Sequence, residues 1–133
     1  MELKTMKYLD KAKLVALFHS VQWESAHFPD DLHKAIAKSD WVVTAWDNER
    51  LVGFMNAIAD GGMVVYYPYV LVDPAYQGKG VGRMMMDAMQ KRYSAFRTQV
   101  LASYHSSVPF YEKCGFQIDD FVPMFRYNMG DLK

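Results

Sequence analysis

The sequence contains little cysteine, no excess of charge of either sign and no long apolar run. Its 133 residues include one cysteine, Cys114, so an internal disulfide is impossible, as is common in reducing compartments. Lys and Arg together number 15, as do Asp and Glu, and the basic residues form no block that would attract nucleic acid. No apolar run approaches a membrane span, and the first residues lack a signal core. We expect a cytoplasmic protein without nucleic-acid or membrane partners.

Metal-ligand clusters, linkers and internal repeats are also missing from the sequence. No group of His, Cys and Asp residues has the spacing of a metal site, so we expect no metal. No Pro/Gly/Ser-rich segment marks a boundary between domains. Because 51% of the residues are hydrophobic and the chain is long enough to bury a core, we predict a single domain over residues 1–133.

A glycine-rich loop behind an apolar strand is the most informative stretch. Residues 69–72, Tyr-Val-Leu-Val, suit a buried strand, and Pro74 ends it. Gly78, Gly80 and Gly82 follow and let the backbone approach a ligand closely. Apolar residues then recur along one face of a predicted helix, at Val81, Met84, Met85, Ala88 and Met89. A helix that begins with bare amide groups attracts anions, so we predict a phosphate-binding loop.

The spacing of these glycines excludes two common kinds of phosphate loop. A dinucleotide fingerprint needs glycine at its sixth position, which is Arg83 when counted from Gly78. A Walker loop needs Ser or Thr after Gly-Lys, and Gly80 stands there. A glycine-rich turn without a ligand is the alternative, although three glycines in five residues raise the entropic cost of ordering it.

The residues before the loop predict two helices and a strand meander. Asp10 is placed to cap the first helix, and Pro29 begins the second. Trp41–Trp46 and Leu51–Ile58 alternate as the two strands of a hairpin. Pro68 interrupts the strand predicted over residues 63–72, which indicates either a bulge or an open edge.

The last third of the chain is predicted to contain a strand, a helix and two closing strands. The strand at Arg97–Ala102 should be parallel to the previous one because a helix intervenes. Ser106 or Ser107 can cap the next helix, and Gly115 can end it in the left-handed conformation. The closing strands are predicted at Phe116–Ile118 and Met124–Tyr127.

Two motifs together resemble the signatures of the GNAT superfamily of N-acetyltransferases. They are Gln77-x-x-Gly80-x-Gly82, after Val72-x-Pro74, and Phe-Tyr-x-x-x-Gly-Phe at residues 110–116. The resemblance covers roughly residues 41–127. It implies a mixed α/β fold, with a mostly antiparallel twisted sheet, a splayed pair of parallel strands and about four helices. It also implies acetyl-CoA as co-substrate, bound by Leu71, Val72, Gln77, Gly78, Lys79, Gly80, Val81, Gly82, Arg83, Ser107 and Phe110.

Acetyl transfer to an amine needs an oxyanion donor and an acid for the leaving thiolate. The backbone N–H of Val72 is the predicted donor, because a splayed strand leaves it unpaired. Tyr111 is the predicted acid, since a phenol is protonated at neutral pH; packing on the sheet is its alternative role. The general base stays open between the three side chains of Glu24, Asp60 and His105 and a chain of water molecules.

The acceptor is predicted to be a primary amine of a small molecule. Glu24 can pair with its ammonium group, and Trp23 can stack on it or simply pack the loop onto the sheet. Family members often have Asn at the position of Tyr104 and Ala at that of Ser107, so the local route of the pantetheine arm can differ here.

Three other functions compete with this one. Within the family, the acceptor could be a protein N-terminus or lysine. Outside it, the chain could be an acyl-CoA-binding sensor without turnover, or a nucleotide-binding α/β protein. A homodimer is permitted by exposed strand edges near residues 124–127.

Overall fold

The computed structural model describes residues 1–128 and divides the chain into two compact units. The first unit, Met1–Leu101, contains one sheet and three α-helices, and the second begins at Ala102. The prediction of a single domain stays a prediction. The strands are β1 Glu2–Lys4, β2 Trp41–Asp47, β3 Arg50–Ala59, β4 Val64–Tyr66, β5 Val70–Val72 and β6 Thr98–Val100. The α-helices are α1 Lys11–Ser20, α2 Pro29–Ala37, α3 Val81–Arg92 and, in the second unit, α4 Val108–Lys113.

The sheet is mixed, as the sequence predicted. Its strand order is β1-β2-β3-β4-β6, and β5 also pairs with β3. Every pairing is antiparallel except that of β4 with β6, which is parallel because α3 connects that edge. The predicted hairpin is present as β2 and β3. The mixed α/β fold with four helices is therefore confirmed.

The core has a layer on each face of the sheet. On one face α1 and α2 bury Leu14, Phe18 and Ile36 against the sheet, and each such side chain contributes roughly 1.5–3 kcal/mol. Asp10 caps α1 as predicted, accepting the N–H of Ala12 at 3.3 Å. On the other face α3 lies so close to β3 that a Cβ on Gly53 would be 3.1 Å from the thioether of Met85.

The buried face of α3 differs in part from the predicted one. Val81, Met85 and Met89 are buried as expected. Met86 is also buried, whereas Met84 is 38% exposed. The apolar stripe that meets the sheet therefore includes Met86 and leaves out Met84.

The second unit has one α-helix and, within its described part, no strand. Gly115 follows α4 in the left-handed conformation, with φ of 95°, as predicted. Ser107 occupies the N-cap position, but its side chain makes no capping hydrogen bond, so neither Ser106 nor Ser107 caps as predicted. The closing strands at 116–118 and 124–127 are wrong, since both segments are irregular. Asp119 and Asp120 directly follow the first segment, and Pro123 directly precedes the second; these residue types disfavour strand structure.

Candidate functional site

The chain between β4 and β5 bulges at the predicted position. From the pair Ile58–Tyr66 to the pair Met55–Val70, β3 advances three residues while the facing chain advances four. The extra residue makes a β-bulge around Pro68, which has no N–H to pair. The bulge that was one of two predictions for Pro68 is thus observed.

The bulge reverses which amides face which neighbour. Before it, the N–H of Tyr67 donates to Val100 O of the adjacent strand at 3.0 Å. After it, the N–H of Tyr69 points the opposite way, toward β3. The side chains reverse as well, because the Tyr67 ring contacts Tyr93 next to α3 and the Tyr69 ring contacts Phe18 of α1.

The reversal leaves β5 with an open edge. Asp73 N–H donates to Val52 O at 2.8 Å, and Tyr69 O accepts from Asn56 N–H at 3.2 Å, so the odd-numbered residues of this strand bond to β3. By alternation, the N–H groups of Val70 and Val72 point away from β3. In residues 1–128, β5 pairs with β3 alone. The Val72 N–H therefore points toward the open edge, as does that of Val70, which the sequence analysis did not single out, and the role of Val72 as an oxyanion donor stays a prediction.

A short turn connects this open edge to the glycine loop. Asp73 Oδ1 accepts the N–H of Ala75 at 2.9 Å and starts a 3-10 turn over Pro74–Tyr76. The Gln77 amide then folds back, and its Nε2 donates to Val72 O at 2.9 Å. Gln77 thus holds the loop against the end of β5.

The glycine loop leads directly into the start of α3. Gly78 and Gly80 have φ of 77° and 86°, conformations that only glycine adopts without strain. Gly80 is the N-cap residue and has no side chain with which to cap, so the first-turn amides have no partner within the helix. A Cβ at either glycine would meet no atom within 4 Å, so the space above the loop is open.

These features fit a diphosphate group. Bare first-turn amides and the helix dipole attract anions, and the open space accommodates one. Lys79 and Arg83 add positive charge at the loop. Lys79 Nζ lies 5.6 Å from the ring centre of Tyr76, and Arg83 Nε pairs with Asp87 at 3.0 Å one turn further along α3.

Residues at the β2–β3 turn contact the segment that precedes the glycine loop, and the sequence analysis did not predict these contacts. Arg50 donates to Asp73 Oδ2 at 2.9 Å, and Tyr76 donates to Asp47 Oδ2 at 2.6 Å. The Asp47 carboxylate is the main reason that the pKa of Tyr76 is raised. Beside these contacts is a cavity of about 320 Å³, lined by Lys13, Ala16, Leu17, Ser20, Glu49, Arg50, Leu51 and Asp73.

The predicted acceptor-side residues follow α1. Trp23 is half-buried, with its ring 5.8 Å from Phe18 and 6.0 Å from Tyr69, which is the packing role proposed as its alternative. Glu24 is exposed, and its carboxylate lies 3.5 Å from His27 Nδ1. Ser25 Oγ and the Tyr69 hydroxyl are 3.0 Å apart, so this segment is tied to the residue that precedes Val70.

The surroundings of two candidate bases, Asp60 and His105, differ. Asp60 Oδ1 accepts the N–H groups of Gly62, Met63 and Val64 at 2.8, 2.7 and 3.1 Å. These bonds lower the pKa of Asp60, so it orders the turn before β4 and is a poor proton acceptor. His105 is exposed in a 3-10 turn of the second unit.

The second unit contains the predicted acid. Tyr111 is half-buried on α4, with its ring 5.1 Å from that of Phe110 and 6.1 Å from that of Phe116. Burial, and to a smaller extent the thiol of Cys114, raises the pKa of Tyr111 to about 12. The phenol is therefore protonated at neutral pH. Cys114 is buried, and Tyr104 is 66% exposed.

Residues 1–128 contain neither a cluster of metal ligands nor a membrane-spanning helix. No three or more His, Cys, Asp or Glu side chains in this range are arranged to hold a metal ion. No helix in the same range is long and apolar enough to cross a bilayer.

Comparison with known proteins agrees with this geometry. Residues 38–118 match the family described as acetyltransferase (GNAT) domain. An uncharacterized N-acetyltransferase, ycf52, of Pyropia yezoensis is 34% identical over 71 residues, which are 52% of this chain and 41% of that relative. The match thus spans less than half the length of the relative.

The fold is similar to those of solved acetyltransferases. A GNAT family acetyltransferase of Streptococcus pneumoniae TIGR4 has a TM-score of 0.84 and 24% identity, over 96% of this chain and 98% of that one. An aminoglycoside N-acetyltransferase in complex with CoA has a TM-score of 0.73 and 15% identity, over 95% of this chain and 93% of that one.

Proposed function

Because the chain belongs to the GNAT family of acetyltransferases, we propose that it transfers the acetyl group of acetyl-CoA to the primary amine of a small molecule in the cytoplasm. One observation carries the proposal. The open edge of β5, with Val70 and Val72 pointing outward, runs through a short turn into the uncapped start of α3. A thioester attached to a diphosphate needs these two kinds of site, joined by a short connection.

The first unit supplies most of the proposed cofactor site. Gln77, Gly78, Lys79, Gly80, Val81, Gly82 and Arg83 form the loop and helix start that bind the diphosphate. Leu71 and Val72 line the pantetheine arm along the open edge, where main-chain groups can bond to its amides. Ser107 and Phe110, which belong to the second unit, stay predicted contacts of acetyl-CoA. Bound acetyl-CoA supplies the activated thioester.

The proposed chemistry uses one main-chain group and one side chain. The Val72 N–H donates to the carbonyl oxygen as negative charge develops there, and an oriented donor of this kind contributes about 10²–10³-fold to turnover. The amine nitrogen bonds to the thioester carbon, the bond from that carbon to sulfur breaks, and Tyr111 gives its hydroxyl proton to the departing sulfur. The proton that the amine nitrogen loses goes to Glu24, His105 or water, since Asp60 is already committed to three amides, and solvent reprotonates Tyr111.

The acceptor side of the proposed site lies after α1. The exposed carboxylate of Glu24 is suited to an ammonium group, and the half-buried ring of Trp23 offers an apolar wall beside it. The likeness to an aminoglycoside N-acetyltransferase supports a small, polar amine as acceptor.

A thermal-shift screen followed by a turnover assay tests the proposal. Acetyl-CoA should raise the melting temperature more than ATP or NAD does, because ligands that bind the folded state stabilise it. Free CoA thiol should then be released with an amine panel that contains aminoglycosides, polyamines and a lysine peptide. Binding without thiol release would indicate a sensor, and release with the peptide alone would indicate a protein acceptor. A larger shift with ATP or NAD would overturn the proposal.

A further inference from the structure

Asn56 is a buried polar residue in the middle of an otherwise apolar strand. It lies on β3, is 3% exposed and stands opposite Val42 of β2. Its neighbours in the chain, Met55 and Ala57, are fully buried apolar residues. A buried carboxamide is retained in such a strand only when its polar atoms are satisfied.

The Asn56 side chain bonds at the bulge. Its Oδ1 accepts the N–H of Tyr69 at 3.0 Å, while its main-chain N–H donates to Tyr69 O at 3.2 Å. Its Nδ2 donates to Ser39 Oγ at 3.1 Å, and Ser39 is equally buried. In a regular ladder the main-chain carbonyl of Asn56 would accept from Tyr69, so the carboxamide takes the place of the carbonyl where the extra residue separates the strands.

The bond between the Asn56 carboxamide and Tyr69 lies where it is decided which amides of β5 face β3 and which face outward. Tyr69 is the first residue after Pro68 whose N–H reaches β3. Once Tyr69 faces β3, alternation places the amides of Val70 and Val72 on the open edge. Without the bulge the alternation would be reversed, and the amide of Leu71 would face that edge instead.

Tyr69 is also held at its other end. Its hydroxyl lies 3.0 Å from Ser25 Oγ, and its ring packs 5.0 Å from that of Phe18. The main chain of Tyr69 is therefore held by Asn56, and its side chain by Phe18 of α1 and by Ser25 in the segment that follows α1.

We infer that Asn56 is a positioning residue for acetyl transfer, acting through Tyr69 to aim the Val70 and Val72 amides at the open edge of β5. The inference rests on the proposed function. Its carboxamide bonds to Tyr69 and Ser39 and to none of the residues proposed to bind the diphosphate, so we expect its main effect on turnover, through the Val72 amide, and a smaller one on the affinity for acetyl-CoA.

Two variants separate this role from a purely structural one. Asn56→Ala removes the acceptor for the Tyr69 N–H, whereas Ser39→Ala removes the other partner of Asn56 and leaves the bond to Tyr69. We expect Asn56→Ala to lower kcat by about tenfold to a hundredfold, because small misplacements at a reacting centre cost that much. Ser39→Ala should lower the melting temperature but keep kcat within about twofold. The thermal shift with acetyl-CoA should persist in both.

Amide hydrogen exchange gives a readout that does not depend on turnover. The Tyr69 N–H should be protected in the wild type and in Ser39→Ala and should exchange faster in Asn56→Ala. If Asn56→Ala does not fold, Asn56→Asp replaces it, since its carboxyl oxygen keeps an acceptor and should keep kcat within about threefold.

The outcomes distinguish the inference from the function on which it rests. A wild-type protein that acetylates no amine overturns the proposed function, and the exchange of Tyr69 still reports on Asn56. A wild type that turns over, with an Asn56→Ala variant of equal kcat, overturns the inference. So does a folded Asn56→Asp whose kcat falls by about tenfold or more, or a Tyr69 amide that stays protected in Asn56→Ala.

Discussion

The Tyr76 hydroxyl donates a hydrogen bond of 2.6 Å to Asp47 Oδ2, joining the turn before the glycine loop to the end of β2. A second contact, the 2.9 Å ion pair of Arg50 with Asp73, joins the same two segments. The Arg50 guanidinium also lies 5.3 Å from the Tyr76 ring centre. The β2–β3 turn therefore supports the loop that we propose for the diphosphate, although it contributes no group to that loop.

Tyr76→Phe removes one of these supports and keeps the ring. We expect the KM for acetyl-CoA to rise by roughly fivefold, the equivalent of one hydrogen bond, with kcat little changed. Steady-state kinetics at varied acetyl-CoA measures both. Tyr8→Phe is the matched control, because Tyr8 is 82% exposed. Equal KM values for the two variants would show that the contact with Asp47 does not support the loop.

Gly80→Ala tests the loop itself. The left-handed conformation of Gly80 should cost alanine about 1 kcal/mol of unfolding free energy. The new methyl group enters the open space proposed for the diphosphate, so affinity for acetyl-CoA should fall by about tenfold or more, beyond the effect of strain. Titration calorimetry and urea unfolding measure the two changes.

Gly61→Ala is the control for that substitution. Gly61 also has open space around it, but it lies in the turn before β4, away from the loop. The control should bind acetyl-CoA as the wild type does. If Gly80→Ala binds equally well, the diphosphate does not lie over the start of α3.

Tyr111→Phe tests the proposed acid. Removing a positioned acid lowers turnover by about 10²–10⁴-fold, and the affinity for acetyl-CoA should be kept because the ring remains. Since the pKa of Tyr111 is about 12, the wild type should show no loss of activity from deprotonation of this phenol at pH values up to about 10. Thiol-release kinetics over pH 6 to about 10 measures both effects. Unchanged turnover in the variant would leave Tyr111 with a packing role only.

Because the hydroxyl of Tyr93 is held in its protonated form in the folded protein, we expect the free energy of unfolding to fall at alkaline pH. Burial, with the hydrogen bond to Asp40, raises the pKa of Tyr93 to about 12. The folded-state pKa is above the unfolded value of about 10, so the stabilisation is complete below pH 10 and is lost as pH rises through about 12. Urea unfolding at a series of pH values in this window should give falling midpoints. The decline should be shallower in Tyr93→Phe, and parallel declines would contradict the assignment.

Local chemistry made much of this molecule predictable from sequence. The glycine loop, the start of α3, the capping by Asp10 and the left-handed Gly115 each depend on residues close together in the chain. The parallel pairing of β4 with β6 followed from the helix between them. These features need no knowledge of which distant residues meet.

Features that depend on distant residues were not predictable in this way. Pro68 was compatible with either a bulge or an open edge. Which amides of β5 face outward depends on the pairing with β3, where three residues of β3 lie opposite four of the facing chain. In the sequence Asp47 and Arg50 were interpreted as ordinary turn residues, because their partners, Tyr76 and Asp73, lie more than twenty residues away. The closing strands had alternating residues, but a strand also requires a partner, and residues 116–128 form no ladder.

Gly53 of β3 pairs with Val72 of β5 in the sheet. A Cβ on Gly53 would lie 3.1 Å from the thioether of Met85 in α3. The close approach of α3, which begins at the glycine loop, to β3 at this point therefore depends on the absence of a side chain at position 53. A side chain at position 53 would push α3, with the glycine loop at its start, away from the strand that pairs with Val72, so one substitution remote from the proposed diphosphate would alter where it is held.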